Sequence, residues 1–175
     1  LLPRVDRLLI GGAMANTFFR ALGLETGESL VEEDRIEMAR DALQLADDRI
    51  MLPVDCTVAS EIREDAVTRT VERSEVEPGD RIGDIGPGTR DLFRTELAGA
   101  RTVVWIGPMG VFEMAPFSEG TVSVARAVAD VTRSGGLAIV GGGDSASAAE
   151  QAGVVEDLSH VSTGGGASLE LLAGR

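Results

Sequence analysis

The chain has 175 residues, of which 43% are hydrophobic and 26% charged, and its 29 acidic and 16 basic residues give a formal net charge of −13. This composition excludes a disordered tail, and the excess of negative charge argues against nucleic-acid binding, which needs clustered positive charge. No apolar run approaches the roughly 20 residues that a membrane-spanning helix requires, so we expect no membrane association.

The type of basic residue is as informative as the net charge. All 16 basic residues are arginine, so a Walker A phosphate-binding loop, which requires a lysine, is excluded. Strong acidity without lysine favours adaptation to high salt, where a carboxylate-rich surface stays hydrated; an acidic surface for a basic partner is the alternative. The chain has one cysteine, Cys56, which cannot form an internal disulfide, and one histidine, His160, so the two together cannot build a zinc cluster. A chain without an internal disulfide is typical of the reducing cytoplasm, where we expect this protein. We interpret Cys56 as a buried small residue without a reactive role.

Short apolar runs predict the strands of a buried parallel sheet. Each run is rich in Val, Ile or Leu and ends at Gly, Pro or Asp. In chain order the predicted strands are Val5–Ile10, Ile50–Val54, Arg81–Ile85, Thr102–Ile106, Leu137–Val140 and a weaker one at His160–Val161.

Longer amphipathic stretches between these runs predict helices. In chain order they are Met14–Leu22, Glu33–Ala46, Thr89–Ala98, Gly120–Thr132, Ser145–Ala152 and Ala167–Leu172. The polar segment Glu61–Pro78 has no clear period, and we expect an excursion such as an antiparallel ribbon there. The alternation of strands and helices predicts an α/β fold with an open parallel, Rossmann-like sheet and helices on both faces, in three αβα layers. We expect one domain over residues 1–175, incomplete at both ends.

Glycine-rich turns follow three of the predicted strands. They contain Gly11-Gly12, Gly107-Pro108-Met109-Gly110 and Gly141-Gly142-Gly143. In a parallel sheet such turns gather at the carboxyl ends of the strands, where ligands bind. A glycine lets the backbone approach a ligand closely, and the helix that follows offers N–H groups to an anion. A tight structural connection is the alternative for each turn.

A fourth glycine run, Gly164–Gly166, precedes a predicted helix. Each glycine at the start of a helix lowers the stability of that helix by about 1 kcal/mol relative to alanine. A helix cap needs only one glycine. Because a cap does not explain three glycines, we favour a functional role, in which the backbone N–H groups converge on a phosphate.

Two carboxylates stand beside these turns. Asp144 either caps a helix or holds Mg²⁺ against nucleotide phosphates, a role that needs only one or two protein oxygens. Glu113 is either a surface charge or an acceptor for ribose hydroxyls. Its neighbours Val111 and Phe112 suit a base-binding slot or ordinary core packing.

Five segments together carry a resemblance. Residues 10–18, 84–87, 105–113, 141–145 and 162–169 appear in an order that resembles the carboxyl-terminal, nucleotide-binding half of phosphoglycerate kinase. The resemblance implies reversible phosphoryl transfer between 1,3-bisphosphoglycerate and MgADP, giving 3-phosphoglycerate and MgATP. It therefore implies ATP or ADP and Mg²⁺ as ligands, with a monomeric parent enzyme.

The resemblance also implies roles for individual residues. Those expected at the adenine and ribose are Gly11, Gly12, Pro108, Val111 and Glu113. Those expected at the nucleotide phosphates are Gly142, Gly143, Asp144 and Ser145, with Asp144 on Mg²⁺. Those expected at the transferred phosphoryl group are Gly164, Gly165 and Gly166.

The chain departs from the family pattern in three respects. Ile106 stands where the family usually has Asn, which removes a polar contact if that amide touches the nucleotide, and Ser145 stands where Thr is common. The resemblance implies that the basic half that binds 3-phosphoglycerate, together with a lysine-bearing strand and loop, lies outside this chain. We therefore expect the chain alone to lack kinase activity.

Two alternative functions come from other classes of protein. A non-catalytic α/β binding module would have purely structural glycine turns and an acidic surface for a basic partner. A Rossmann-type dehydrogenase domain fails on spacing, because no G-x-G-x-x-G follows the first predicted strand.

Overall fold

The computed structural model describes residues 1–174, and the chain divides into two compact units. The parallel unit contains Leu1, Arg90–Pro108 and the chain from Thr121 onward, and the mixed unit contains Leu2–Thr89 and Met109–Gly120. Helices α3 (Pro87–Ala98) and α4 (Glu119–Arg133) carry the chain from one unit into the other. The assignment of residues 1–175 to one domain stays a prediction.

The parallel unit is built on a three-stranded parallel sheet. The strands β6 (Thr102–Ile106), β7 (Leu137–Gly141) and β8 (His160–Ser162) lie in the order β6-β7-β8. Helix α5 (Gly143–Ala152) follows β7, and helix α6 (Gly165–Ala173) follows β8. Because the strands are parallel, the turns that begin α5 and α6 lie at the same edge of the sheet.

The mixed unit contains a parallel pair and an antiparallel sheet. Strands β1 (Leu8–Leu9) and β2 (Ile50–Met51) pair in parallel. Strands β3 (Asp55–Ala59), β4 (Arg69–Glu72) and β5 (Arg81–Ile85) form an antiparallel sheet in the order β4-β3-β5. Helices α1 (Gly12–Ala21) and α2 (Ile36–Ala46) complete the unit.

The core of the mixed unit explains why these segments fold together. Its buried residues are Ile10, Ala15, Phe18, Phe19, Ala39, Leu52, Cys56, Val58 and Val76. The residues on α1 are spaced so that they face one side of a helix, and burial of that apolar side stabilises it. The buried position of Cys56 confirms the interpretation made from the sequence.

Most predicted elements are present, with several corrections to the strands. The bounds predicted for Thr102–Ile106 and Arg81–Ile85 are those observed, but Arg81–Ile85 pairs antiparallel with β3, so its expected parallel orientation is wrong. Strand β3 was not predicted. The expected strand over residues 5–10 shortens to the two residues that pair with β2. The polar excursion contains β4, and its antiparallel pairing with β3 confirms a ribbon there.

Candidate functional site

The start of α5 brings Gly142, Gly143 and Asp144 to the edge of the parallel sheet. Gly142 is the N-cap residue, with φ +103°, and no side chain caps the helix. Asp144 lies one residue inside the helix and is exposed. The cap reading of Asp144 is therefore wrong, and its carboxylate stands in the first turn of a helix, next to N–H groups that have no acceptor within the helix.

The start of α6 presents a second set of helix N–H groups. The Gly164 N–H donates to Ser162 Oγ (3.2 Å), and the Gly164 carbonyl accepts from the Ser168 N–H (3.3 Å) and hydroxyl (3.2 Å). Helix α6 then begins at Gly165, followed by Gly166. The amides of the first turn point out of the helix at its positive end, where an anion is favoured.

Close packing explains some of these glycines and not others. A methyl group on Gly165 would lie 3.1 Å from the Gly142 Cα, and one on Gly141 would lie 2.6 Å from Ser168 Oγ. The turns before α5 and α6 therefore lie against each other. A methyl group on Gly143 or Gly166 would meet no atom within 4 Å. Packing thus accounts for Gly141 and Gly165 but leaves the surroundings of Gly143 and Gly166 open.

Ser145 ties the start of α5 to the end of β6. Its hydroxyl accepts the Gly107 N–H at 2.6 Å, and the serine side chain is buried. Gly107 has φ +91°, and its carbonyl accepts the Trp105 indole N–H at 2.7 Å. Pro108, the next residue, is half-buried. Ser145 therefore fixes the turn after β6 through its side-chain oxygen.

In the mixed unit, the glycines before α1 are held tightly by Met109. The Gly12 N–H donates to the Met109 carbonyl at 3.1 Å, and Gly12 has φ +65°. A methyl group on Gly11 would lie 2.5 Å from Met109 Sδ and 3.4 Å from Ile85 Cγ2. A side chain at position 11 would therefore have to displace the Met109 side chain.

The segment after Met109 carries the predicted base and ribose residues. The Val111 N–H donates to the Gly83 carbonyl at 2.9 Å, and Val111 is half-buried. Phe112 is buried, which supports the core-packing reading of that side chain, whereas Glu113 is exposed. Of the two apolar neighbours, only Val111 presents part of its surface beside Glu113.

Comparisons with known proteins place this geometry in one family. The family model described as phosphoglycerate kinase matches residues 1–175. The chain belongs to the phosphoglycerate kinase family. It is 51% identical to a phosphoglycerate kinase of Chloroflexus aurantiacus, with 100% of this chain and 44% of that protein aligned. It is 56% identical to one of Solibacter usitatus, with 97% of this chain and 42% of that protein aligned.

Solved structures of phosphoglycerate kinases have the same fold. The structure from Coxiella burnetii matches with a TM-score of 0.93 at 40% identity, over 100% of this chain and 46% of that one. The structure from Pyrococcus horikoshii matches with a TM-score of 0.84 at 33% identity, over 99% and 44%. These matches confirm the predicted three-layer α/β class with an open parallel sheet. The chain spans a little under half the length of the phosphoglycerate kinases that it matches.

The carboxylate at the start of α5 suits one mode of Mg²⁺ binding. Among residues 1–174, no group of three or more His, Cys, Asp or Glu side chains is placed to hold a metal ion. Mg²⁺ in nucleotide sites is usually bound by one or two carboxylates together with phosphate oxygens and water. The exposed carboxylate of Asp144, beside helix N–H groups that favour phosphate, fits that mode of binding.

Sequence reasoning missed three buried carboxylates in this chain, Asp55, Asp80 and Asp84. Asp55 accepts hydrogen bonds from Gly88 and Thr89, and Asp84 accepts one from Gly120. In the sequence, Asp84-Ile85-Gly86-Pro87 stands out only as part of the family resemblance. Apolar neighbours in the sequence could have signalled that Asp84 is buried.

No helix in the described part of the chain is long and apolar enough to cross a membrane.

Proposed function

We propose that this chain is the nucleotide-binding part of a phosphoglycerate kinase and binds ADP or ATP together with Mg²⁺. The observation that carries the proposal is the pair of helix starts, α5 and α6, whose turns lie against each other at one edge of the parallel sheet. Two helix N-termini supply several N–H donors and positive dipole ends for the charge of a polyphosphate.

The residues of the parallel unit have distinct proposed roles. The amides of Gly142, Gly143 and Ser145 bind the nucleotide phosphates, while Asp144 holds Mg²⁺. The amides of Gly164, Gly165 and Gly166 bind the transferred phosphoryl group. Bound Mg²⁺ neutralises charge on the phosphates. Phosphoryl transfer requires mainly positioning and charge stabilisation, and fixed backbone amides provide both without reorganising during the reaction.

Other residues have proposed roles at the nucleoside. Gly11, Gly12, Pro108 and Val111 contact the adenine, and Glu113 accepts hydrogen bonds from the ribose hydroxyls. Because Ile106 replaces an amide-bearing residue, the chain lacks one polar contact, which weakens binding by roughly a factor of 2 to 10.

The activity proposed for the complete protein is reversible transfer of a phosphoryl group between 1,3-bisphosphoglycerate and MgADP, giving 3-phosphoglycerate and MgATP. The chain spans 44% of its relative from Chloroflexus aurantiacus. Binding of 3-phosphoglycerate is assigned to the part of the protein outside this chain, so the chain alone binds nucleotide without catalysing transfer. We place the protein in the cytoplasm as a monomer, adapted to high salt.

Titration calorimetry of the chain with MgADP tests nucleotide binding. Asp144→Asn should weaken MgADP binding at least about tenfold, because a neutral amide is a poor Mg²⁺ ligand. Glu150→Gln is the matched control, since it removes one exposed carboxylate from the same helix near its other end. Absence of binding by the folded wild-type chain contradicts the proposed function, and equal effects of the two variants contradict the metal role.

A further inference from the structure

A buried carboxylate at the end of β5 holds backbone groups from different segments. Asp84 is 3% exposed. Its Oδ2 accepts the Gly120 N–H at 2.8 Å, and its Oδ1 accepts the N–H of its own neighbour Ile85, also at 2.8 Å. Because each oxygen has its own donor, an amide in place of the carboxylate leaves one N–H group without an acceptor.

The two ends of the segment 109–120 close on this one side chain. A methyl group on Gly110 would lie 2.6 Å from Asp84 Oδ1 and 2.9 Å from the Asp84 Cα. A methyl group on Gly120 would overlap the same Oδ1 atom. Both glycines thus approach Asp84 more closely than a larger residue could: the carboxylate holds the Gly120 stem by a hydrogen bond and packs against the Gly110 stem.

Gly83, the neighbour of Asp84, adds two further contacts to the same segment. Its carbonyl accepts the Val111 N–H at 2.9 Å, and the ring of Phe117 lies directly against its Cα, where a side chain would otherwise be. Phe117 is fully buried. Glu113, in contrast, is exposed between these fixed points.

We propose that Asp84 is a positioning residue, which sets the conformation of the segment 109–120 and thereby places Glu113 at the ribose hydroxyls. This inference rests on the proposed function. A short segment whose stems are fixed presents Glu113 in one place, so binding does not have to order it. Asp84 itself is buried beneath the segment and acts through it.

Asp84→Asn tests the proposal with two measurements on the same chain. Amide hydrogen exchange measures how firmly the backbone of the segment 109–120 is held in its folded conformation. The ratio of the dissociation constants for 2′,3′-dideoxy-ADP and ADP measures the contribution of the ribose hydroxyls to binding. Asp55→Asn is the matched control: Asp55 is 6% exposed and accepts backbone hydrogen bonds from Gly88 and Thr89, outside that segment.

In Asp84→Asn we expect exchange in 109–120 to quicken about tenfold or more, since a hydrogen bond to a carboxylate is lost. The dideoxy-ADP to ADP ratio should fall towards one, as it should in Glu113→Gln. Asp55→Asn should quicken exchange most at Gly88 and Thr89, quicken exchange in 109–120 no more than its loss of overall stability accounts for, and keep the wild-type ratio. A merely structural role of Asp84 lowers the melting temperature without changing this ratio.

Each other outcome is decisive. If the wild-type chain discriminates against dideoxy-ADP and Asp84→Asn discriminates equally, the positioning role is overturned while the proposed function stands. If the wild-type chain binds no ADP, the proposed function and the ribose role both fail. If Asp84→Asn does not fold, Gly110→Ala replaces it, because that methyl group displaces the same stem and leaves the carboxylate in place. An unchanged ratio in folded Gly110→Ala likewise overturns the proposal.

Discussion

The fold needs a glycine at only one of the two neighbouring glycine positions at the start of α5. Gly142 has φ +103°, and a methyl group there would lie 3.6 Å from the Gly165 Cα, whereas Gly143 has open space around it. Side chains rarely adopt the Gly142 conformation, and a forced one costs about 1–3 kcal/mol. Gly143 begins a helix, where alanine is tolerated or favoured.

We therefore predict opposite effects of two alanine substitutions. Gly142→Ala should lower the free energy of unfolding by about 1–3 kcal/mol. Gly143→Ala should leave the stability unchanged or slightly higher but weaken MgADP binding, because its methyl group occupies the space that a phosphate would enter. Thermal unfolding and calorimetry measure the two effects. Wild-type affinity in Gly143→Ala would show that no phosphate approaches this turn.

Cys56 makes the stability of the chain depend on pH in a known direction. Burial raises the pKa of its thiol from 9.0 to about 12, and the nearby Asp55 carboxylate adds to the rise. The thiol therefore stays protonated in the folded chain while the unfolded chain ionises it near pH 9. Its contribution to stability is complete below pH 9 and is lost as the pH rises towards 12.

We predict a loss of about 1.4 kcal/mol per pH unit in that window. The chain has no lysine and no tyrosine, so no other side-chain type with an ordinary pKa near 10 titrates there. Urea unfolding at pH 8 and pH 10.5 measures the loss, and Cys56→Ala should not show it. Native Cys56 should also resist iodoacetamide at pH 8 until urea unfolds the chain. Rapid native alkylation would contradict the burial.

At the scale of the elements, helix α3 depends on a cap that comes from a distant strand. The carboxylate of Asp55 accepts the Gly88 and Thr89 N–H groups, each at 2.8 Å, and the Thr89 hydroxyl at 2.6 Å. Thr89 Oγ1 in turn accepts the Val54 N–H at 3.0 Å. One buried carboxylate thus satisfies the first amides of the helix and ties it to β3.

We predict that Asp55→Asn lowers the free energy of unfolding by about 1–3 kcal/mol, because one buried donor loses its acceptor. Asp91→Asn is the control on the same helix, where the carboxylate is exposed and pairs with Arg94 at 2.9 Å. An exposed pair of this kind contributes at most about 1 kcal/mol. Urea unfolding compares the two variants, and equal losses would show that the Asp55 cap does not stabilise the helix.

The elements also show where sequence patterns suffice. The run Thr102–Ile106 has the observed bounds, because five apolar and β-branched residues are followed by a glycine turn. The orientation of Arg81–Ile85 was mispredicted, since a strand's direction depends on its partner, β3, rather than on its own residues. Strand β3 is missed because the strand predicted over Ile50–Val54 ends where Asp55, a typical strand-ending residue, follows. Burial of the Asp55 carboxylate depends on Thr89, far along the chain.

At the scale of the whole molecule, the candidate site likewise has features that the sequence predicts and features that depend on distant residues. Glycine runs after strands predicted the turns at the starts of α1, α5 and α6, because that pattern is local. Whether a glycine serves packing or ligand access cannot be read from the sequence, since Gly11 packs against Met109 and Gly141 against Ser168, both distant in sequence. Asp144 could not be distinguished from a cap until Gly142 was seen in the cap position.

The net charge of −13 governs how the whole chain responds to salt. Salt acts in two opposite directions. It screens the repulsion among excess carboxylates, which stabilises the folded state, and it weakens exposed ion pairs such as Arg63–Asp65 (3.0 Å) and Arg81–Glu28 (2.7 Å). Exposed pairs contribute about 0–1 kcal/mol each, whereas even complete pairing of the 16 basic residues leaves 13 acidic ones unpaired. Repulsion should therefore dominate.

We predict that the melting temperature rises by about 4–8 °C between 0.1 and 1 M KCl, which corresponds to about 2 kcal/mol for a chain of this size. Screening is nearly complete at 1 M, where the Debye length is about 3 Å. A further rise between 1 and 3 M KCl would therefore reflect surface hydration and support adaptation to high salt, whereas a plateau above 1 M would reflect screening alone. Differential scanning calorimetry at each concentration, with sucrose at matched osmolality as the control, measures the effect. A melting temperature that falls with added KCl would mean that the ion pairs outweigh the repulsion.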